Sequence, residues 1–213
     1  MQSTRDIAVE DWARPGEPFR LVAVALDAAD WLSQLPLASQ ERVARFSDLA
    51  GKAQAGASEW LKVCWLPRET GLAAAEWTVG AHGKPRLAGA GAAWDFNLSH
   101  AGNYAVAALA RGVQVGVDLE SLARPADIEL LGRRVFSEGE RELVRAGGRE
   151  MFFDLWSRKE ALLKALGCGW ADGGIVRRTQ IGLAAVQTEP ATGVRIWSRR
   201  VLGGSYALAV ALN

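Results

Sequence analysis

The sequence predicts a mixed α/β (α+β) chain built as two similar halves, each a small sheet packed with helices. Three observations carry this expectation. FRLVAVALDAADW places an apolar strand at about residues 19–27, ahead of a helical region over residues 39–66. The C-terminal part returns to strand-like runs in GGIVRRTQIGLAAVQ, TGVRIWSRRVL and SYALAVALN. Finally, GNYAVAALA at residues 102–110 is similar to GSYALAVAL at residues 204–212, either as a chance match between alanine-rich strands or as a repeat whose halves each end in this strand. The boundary then falls near Gly112, giving one half over residues 1–112 and another over residues 113–213, with a site expected between them.

The remaining elements follow in order. The helical region contains ERVARF and GASEWLKVCWL, and PRETGL closes it as a loop. AAEWTVGAHGKPRL reads as a short strand running into a turn, and AGAGAAWD as a flexible loop. YAVAALA, RG and VQVGVDLE suggest a hairpin, although Arg-Gly is not a favoured turn pair. SEGERELVRAG reads as a helix with a serine cap, and FFDLWSRKEALLKALGCG as a second helix closed by glycines. On a helical wheel Phe152, Leu155, Trp156, Leu162, Leu163 and Leu166 form one apolar arc. Lys159 falls near its centre, with Glu160 and Lys164 along its edge.

Composition restricts the functional classes. The 213 residues are 49% hydrophobic and 23% charged, with a formal net charge of +1, so nothing demands nucleic acid or an acidic membrane as partner. A phosphate-bearing ligand needs a local basic pocket. No stretch approaches the roughly 18 apolar residues of a membrane span. Cys64 and Cys168 are isolated and lack metal-ligand spacing. The first residues lack the basic-then-apolar pattern of a secretory leader, so a reduced cytoplasmic protein is expected.

Chemistry concentrates in four segments. In VGVDLE, strand alternation sends Val115, Val117 and Leu119 to one face and Gly116, Asp118 and Glu120 to the other. Two carboxylates about 7 Å apart at Cα, with a glycine beside them, can converge on a hard cation, or form an acidic solvent-facing edge. Glu160 adds a third carboxylate, or pairs with Lys164 as an i, i+4 surface ion pair. Lys159 either snorkels to water or faces phosphate oxygens in a cleft. FNLSHAG carries Ser99 and His100, whose opposite strand faces argue against a dyad. HGKPRL adds Lys84, Pro85 and Arg86 as a basic loop.

In order and spacing, GKP, FNLSHAG, VGVDLE and FFDLWSRKEALLKALGCG resemble the signature blocks of the 4′-phosphopantetheinyl transferases, in the larger single-chain type that activates surfactin-type synthetases. The resemblance covers about residues 83–169 and implies two pseudo-twofold-related halves with coenzyme A and Mg²⁺ (or Mn²⁺) bound between them. It implies attack by a serine of an apo carrier protein on the β-phosphate and release of 3′,5′-ADP, by a monomer without nucleic acid or membrane partners. Carried over by position, Asp118, Glu120 and Glu160 would hold the metal. Lys164 would contact the pyrophosphate, with Lys159 and Trp156 completing that wall. Ser99 and His100 would bind the nucleotide end, and Lys84 and Pro85 would line the adenine side. Glu160, or a water beside Glu120 or Glu160, would take the serine proton, with Glu120, Glu160 and Lys164 as the catalytic set.

Two departures bear on this. Ala101 stands where the family commonly has serine, and AGASEWLK replaces a segment resembling AGRALLR, so its arginine is absent. Arg45 and Lys52, then Lys62, are the expected substitutes. The rival readings are a catalytically degenerate coenzyme A or carrier-binding homologue, and a metal-dependent nuclease.

Overall fold

The computed structural model describes residues 9–26, 31–72, 77–80, 84–170 and 172–213. The chain divides into two compact units, Met1–Thr78 with Pro85–Gly112, and Val79–Lys84 with Val113–Asn213. Residues 27, 73–76 and 81–83, which fall in the expected first strand and in the expected strand and turn of AAEWTVGAHGKPRL, lie outside the described residues.

The first unit is built on an antiparallel sheet of order β1-β2-β6-β5, with β1 at Glu10–Asp11, β2 at Arg20–Ala25, β5 at Trp94–Ala101 and β6 at Tyr104–Arg111. Short strands β3 (Trp77–Val79) and β4 (Pro85–Leu87) pair separately. Helix α1 (Trp31–Gln34) precedes the expected helical region, which is itself broken into α2 (Leu37–Ala44) and α3 (Leu49–Trp60), while α4 (Leu66–Thr70) runs through PRETGL, expected as a loop. Asp48 caps α3 by accepting from the Gly51 N–H at 2.7 Å. Between α3 and α4 the turn Leu61–Trp65 widens to π geometry, and the Leu66 N–H donates to Leu61 O. Pro67 explains it, because its ring would clash with the carbonyl four residues earlier in a regular helix. Val22, Val24, Trp31, Trp60, Leu61, Trp65, Phe96 and Leu109 form this unit's core.

The second unit repeats the plan. Its antiparallel sheet has order β7-β10-β9-β8, with β7 at Val115–Ser121, β8 at Val186–Thr188, β9 at Arg195–Val201 and β10 at Tyr206–Leu212. The helices are α5 (Ile128–Val135), α6 (Glu138–Leu166) and α7 (Gly173–Arg178). Ser137 and Glu140 form a reciprocal capping box at the start of α6, and Gly167 ends it in the left-handed region at φ 68°. Gly148, at φ 63° and ψ −148°, interrupts α6, so the two expected helices appear as two segments of one element. The second segment lies across β7 and β10, burying Phe152, Leu155, Ala161, Leu162 and Ala165.

The expected hairpin between YAVAALA and VQVGVDLE does not form. Strand β6 already has β2 on one edge and β5 on the other, so no edge remains for β7. Instead β7 pairs along its length with β10, from Val115 opposite Leu212 to Ser121 opposite Tyr206. AGAGAAWD is likewise not all loop: it holds a 3₁₀ turn at Gly89–Gly91 and the start of β5. The two similar nonapeptides become equivalent strands, β6 and β10, each flanked on both sides. Each follows a glycine two residues earlier with positive φ, Gly102 at 52° and Gly204 at 90°.

Candidate functional site

The site of the second unit starts from Gly116. A Cβ there would meet Ala161 O at 2.0 Å and Ala165 N at 2.5 Å, both backbone atoms of α6. The space beside the carboxylates of VGVDLE is therefore filled by a helix backbone. Opposite Gly116, Asp118 and Glu120 stand Ala211, Ala209 and Ala207 of β10. This floor of small residues lets α6 approach and sets Glu160 and Lys164, which neighbour Ala161 and Ala165, beside Asp118 and Glu120. Both faces of β7 are covered: Val115, Val117 and Leu119 are buried, and so is Asp118. The acidic solvent-facing edge is thus excluded.

Each carboxylate is already engaged. Lys164 Nζ donates to Asp118 Oδ1 at 2.7 Å and to Val117 O at 3.0 Å. Arg124 grips Glu120 with two bonds of 2.8 and 3.3 Å, its guanidinium lying 5.3 Å from the Phe153 ring centroid. Trp170 Nε1 donates to Glu160 Oε1 at 2.6 Å. Burial, then the negative charge of Asp118, pushes the Glu120 carboxyl up to about 7, with Arg124 opposing. Burial and Asp118 also push Glu160 up, with Lys164 opposing. Three carboxylates are therefore crowded in a partly dry place, with one lysine and one arginine as counter-charges.

That donor set suits a hard divalent cation, which takes carboxylate oxygens and relieves their mutual repulsion. The ligating geometry is not preformed. Among the described residues no three acidic, histidine or cysteine side chains already converge on one point: Asp118 is turned to Lys164 and Glu120 to Arg124.

Lys159 requires a correction. It is 0% exposed, and its ammonium donates to Glu140 Oε2 at 2.7 Å, Val135 O at 3.0 Å and Val176 O at 3.2 Å. All three N–H donors are used, so it neither snorkels to water nor lines a wall against pyrophosphate. Burial lowers its pKa, while the charges of Glu140 and Glu189 work the other way. Glu140, 3% exposed, also accepts from the Ser137 N–H at 2.7 Å and the Ile181 N–H at 2.8 Å. The pair fastens the two segments of α6 to the chain after α7.

The other expected residues are placed as follows. Trp156 stacks on Trp170, ring centroids 4.8 Å apart. Together they line a cavity of about 390 Å³ with Leu131, Val135 and Val176. Lys84 is buried in the second unit and donates to Val115 O at 2.8 Å, while Pro85 opens β4 in the first. Ser99 and His100 are consecutive on β5, opposite Val106 and Ala105 of β6, and His100 is exposed. His100 lines a cavity of about 330 Å³ in the first unit with Arg42, Ser58, Glu59 and Lys62. Neither Arg45 nor Lys52 lines it. Arg45 instead ends α2 exposed, and Lys52 lies in the first turn of α3, so Lys62 and the unforeseen Arg42 are the basic residues there. Both pair with Glu59: Arg42 at 2.7 Å, and Lys62 through a short contact. Burial pushes the Glu59 carboxyl up, but the bonds from Arg42 and Lys62 outweigh it and the net shift is downward.

Sequence reasoning missed Glu140, Trp170, Arg124, and the Arg42 and Glu59 that join Lys62. Only Glu140 left a local signal, the S-x-x-E of SEGE. The cysteines are unbridged, and among the described residues no helix is long and apolar enough to cross a membrane.

Comparison with known proteins bears on the same stretch. Residues 114–211 match the model of the 4′-phosphopantetheinyl transferase superfamily. That match covers most of the second unit. Among curated proteins, the chain is 41% identical over 100 residues to the 4′-phosphopantetheinyl transferase HetI of Nostoc, covering 45% of this chain and 40% of HetI. It is 38% identical over 92 residues to the 4′-phosphopantetheinyl transferase AcpT of Escherichia coli O157:H7, covering 41% of this chain and 47% of AcpT. A mouse L-aminoadipate-semialdehyde dehydrogenase-phosphopantetheinyl transferase is 35% identical over 86 residues, covering 36% of this chain and 28% of that protein. The chain thus spans less than half the length of each of these relatives. The α+β architecture with antiparallel sheets is consistent with the superfamily.

Proposed function

We propose that this protein transfers the 4′-phosphopantetheine moiety of coenzyme A to a serine hydroxyl of an apo carrier protein, as a magnesium-dependent cytoplasmic enzyme of the larger single-chain type. One observation carries the reading: Gly116 lets α6 close on β7, so that Asp118, Glu120, Glu160 and Lys164 share one partly buried place. That place lies within the part of the chain that matches the superfamily. The names of HetI and AcpT add the reaction.

The transfer forms a bond from the serine oxygen to the β-phosphorus and breaks the bond to the bridging oxygen, whose electron pair leaves with 3′,5′-ADP. Such a reaction needs alignment and charge neutralisation more than covalent help. Asp118, Glu120 and Glu160 would hold Mg²⁺, which when bound supplies positive charge against the pyrophosphate oxygens. Lys164 sits 2.7 Å from Asp118; on release from it, its ammonium is available to a pyrophosphate oxygen. Glu160, or a water beside Glu120 or Glu160, accepts the serine proton. Ser99 and His100 bind the nucleotide end, with Arg42 and Lys62 in the His100 cavity taking the place assigned to Arg45 and Lys52. Trp156, Lys84 and Pro85 remain assigned to coenzyme A contacts.

Asp118→Asn and Glu160→Gln test the reading. Each is expected to abolish transfer to an apo carrier in the presence of coenzyme A and Mg²⁺ while the far-ultraviolet circular dichroism is unchanged. Substantial transfer by either folded variant contradicts the metal assignment. Cleavage of DNA by the wild-type protein, without modification of any carrier, points to the nuclease reading instead.

A further inference from the structure

Trp170 lies after Gly167, the C-terminal cap of α6. Its indole Nε1–H reaches Glu160 Oε1 at 2.6 Å, and the orientation of its ring is tied back to the core. It stacks on Trp156 at 4.8 Å and 29°, and Trp156 stacks on Phe152 at 5.5 Å and 24°. Phe152 is fully buried and meets Phe136 and Phe153 edge-on at 5.5 and 5.2 Å. Trp156 and Glu160 are four residues apart on one helix face, so the indole that stacks on the first is delivered to the carboxylate of the second.

We propose that Trp170 is a positioning residue for Glu160, fixing one carboxylate oxygen so that the other is presented to a divalent cation. This rests on the metal assignment made above. A carboxylate that must meet a cation loses affinity when its rotamer is unconstrained, and hydrogen bonds from the surrounding shell supply the constraint. Phenylalanine tests this, because it keeps an aromatic ring for the stack and deletes the N–H. The chemistry also excludes Trp170 as a ligand, since an indole N–H only donates.

The experiment is a Mn²⁺ titration of metal-free protein without coenzyme A, followed by the paramagnetic resonance signal of free Mn²⁺. Trp170→Phe is expected to weaken Mn²⁺ binding about tenfold, with circular dichroism unchanged. In the Glu160→Gln background the same substitution is expected to add nothing, because the group it positions is gone. In turnover, Trp170→Phe is expected to raise the Mg²⁺ concentration for half-maximal rate while leaving KM for coenzyme A unchanged. Trp170→Leu, read by the same titration, replaces the phenyl variant should that one fail to fold. Wild-type affinity in Trp170→Phe overturns the proposal, as does an equal loss with and without Glu160. A wild-type protein that binds no Mn²⁺ overturns the metal assignment itself, which separates that failure from the failure of Trp170.

Discussion

Replacing Lys159 by methionine keeps most of the side chain's length and deletes its ammonium. Three hydrogen bonds to Glu140, Val135 and Val176 disappear, and the Glu140 carboxylate, 3% exposed, loses its counter-charge. Breaking one member of a buried ion pair costs about 3–5 kcal/mol. Glu140 still accepts from the Ser137 and Ile181 N–H groups, and Val176 O still accepts from Thr179 Oγ1 at 3.2 Å. The lower end, about 3 kcal/mol, is therefore expected. For a chain of this size that lowers Tm by roughly 6–12 °C, measurable by circular dichroism. Glu140→Leu together with Lys159→Met should cost less than the two single losses combined, since neither charge is then left buried alone. Well below its Tm the methionine variant should bind coenzyme A as the wild type does, by calorimetry. A Tm within 2 °C of the wild type, with a clearly weaker coenzyme A affinity, would return Lys159 to a phosphate contact.

Gly116→Ala should displace α6 from β7, since its Cβ would lie 2.0 Å from Ala161 O. A loss of about 3 kcal/mol by urea unfolding is expected, and a fully stable alanine variant contradicts the close approach. The Glu120 carboxyl, raised from 4.5 to about 7, holds its proton more tightly folded than unfolded. Its contribution to stability is thus present below pH 4.5 and lost as pH rises through 7. Metal-free protein should unfold at lower urea at pH 8 than at pH 5.5, and Glu120→Gln should flatten that dependence. Mg²⁺ binding, which needs the deprotonated carboxylate, should tighten between pH 6 and pH 8, and a pH-independent affinity by calorimetry counts against Glu120 as a ligand.

The period-2 alternation of VGVDLE and the apolar arc of FFDLWSRKEALLKALGCG were legible because each is a local property of a strand or helix. So was the equivalence of GNYAVAALA and GSYALAVAL, which become β6 and β10. The false hairpin shows where local reading stops. Whether β6 can accept β7 depends on its edges, and β2, far upstream in the chain, had taken one of them. Lys159 shows the same limit in a side chain. A lysine among leucines can be led to water, to a ligand or to a buried carboxylate, and the choice was made by Glu140, whose only local sign was its place in the capping box. The cations around His100 followed from helix geometry that one sequence does not print: Arg42 and Lys62 converge on Glu59, while Arg45 lies past the end of α2. The role of Gly116 was half legible. Room beside the carboxylates was foreseen, and its occupant was the helix itself.

Intact-mass spectrometry of an apo carrier protein, after incubation with this chain, coenzyme A and Mg²⁺, reads the transfer itself. A gain of one phosphopantetheine mass on the carrier is expected, lost when Mg²⁺ is chelated and absent with Asp118→Asn. Unmodified carriers across acyl, peptidyl and aryl types, from a folded protein that binds coenzyme A, would contradict it.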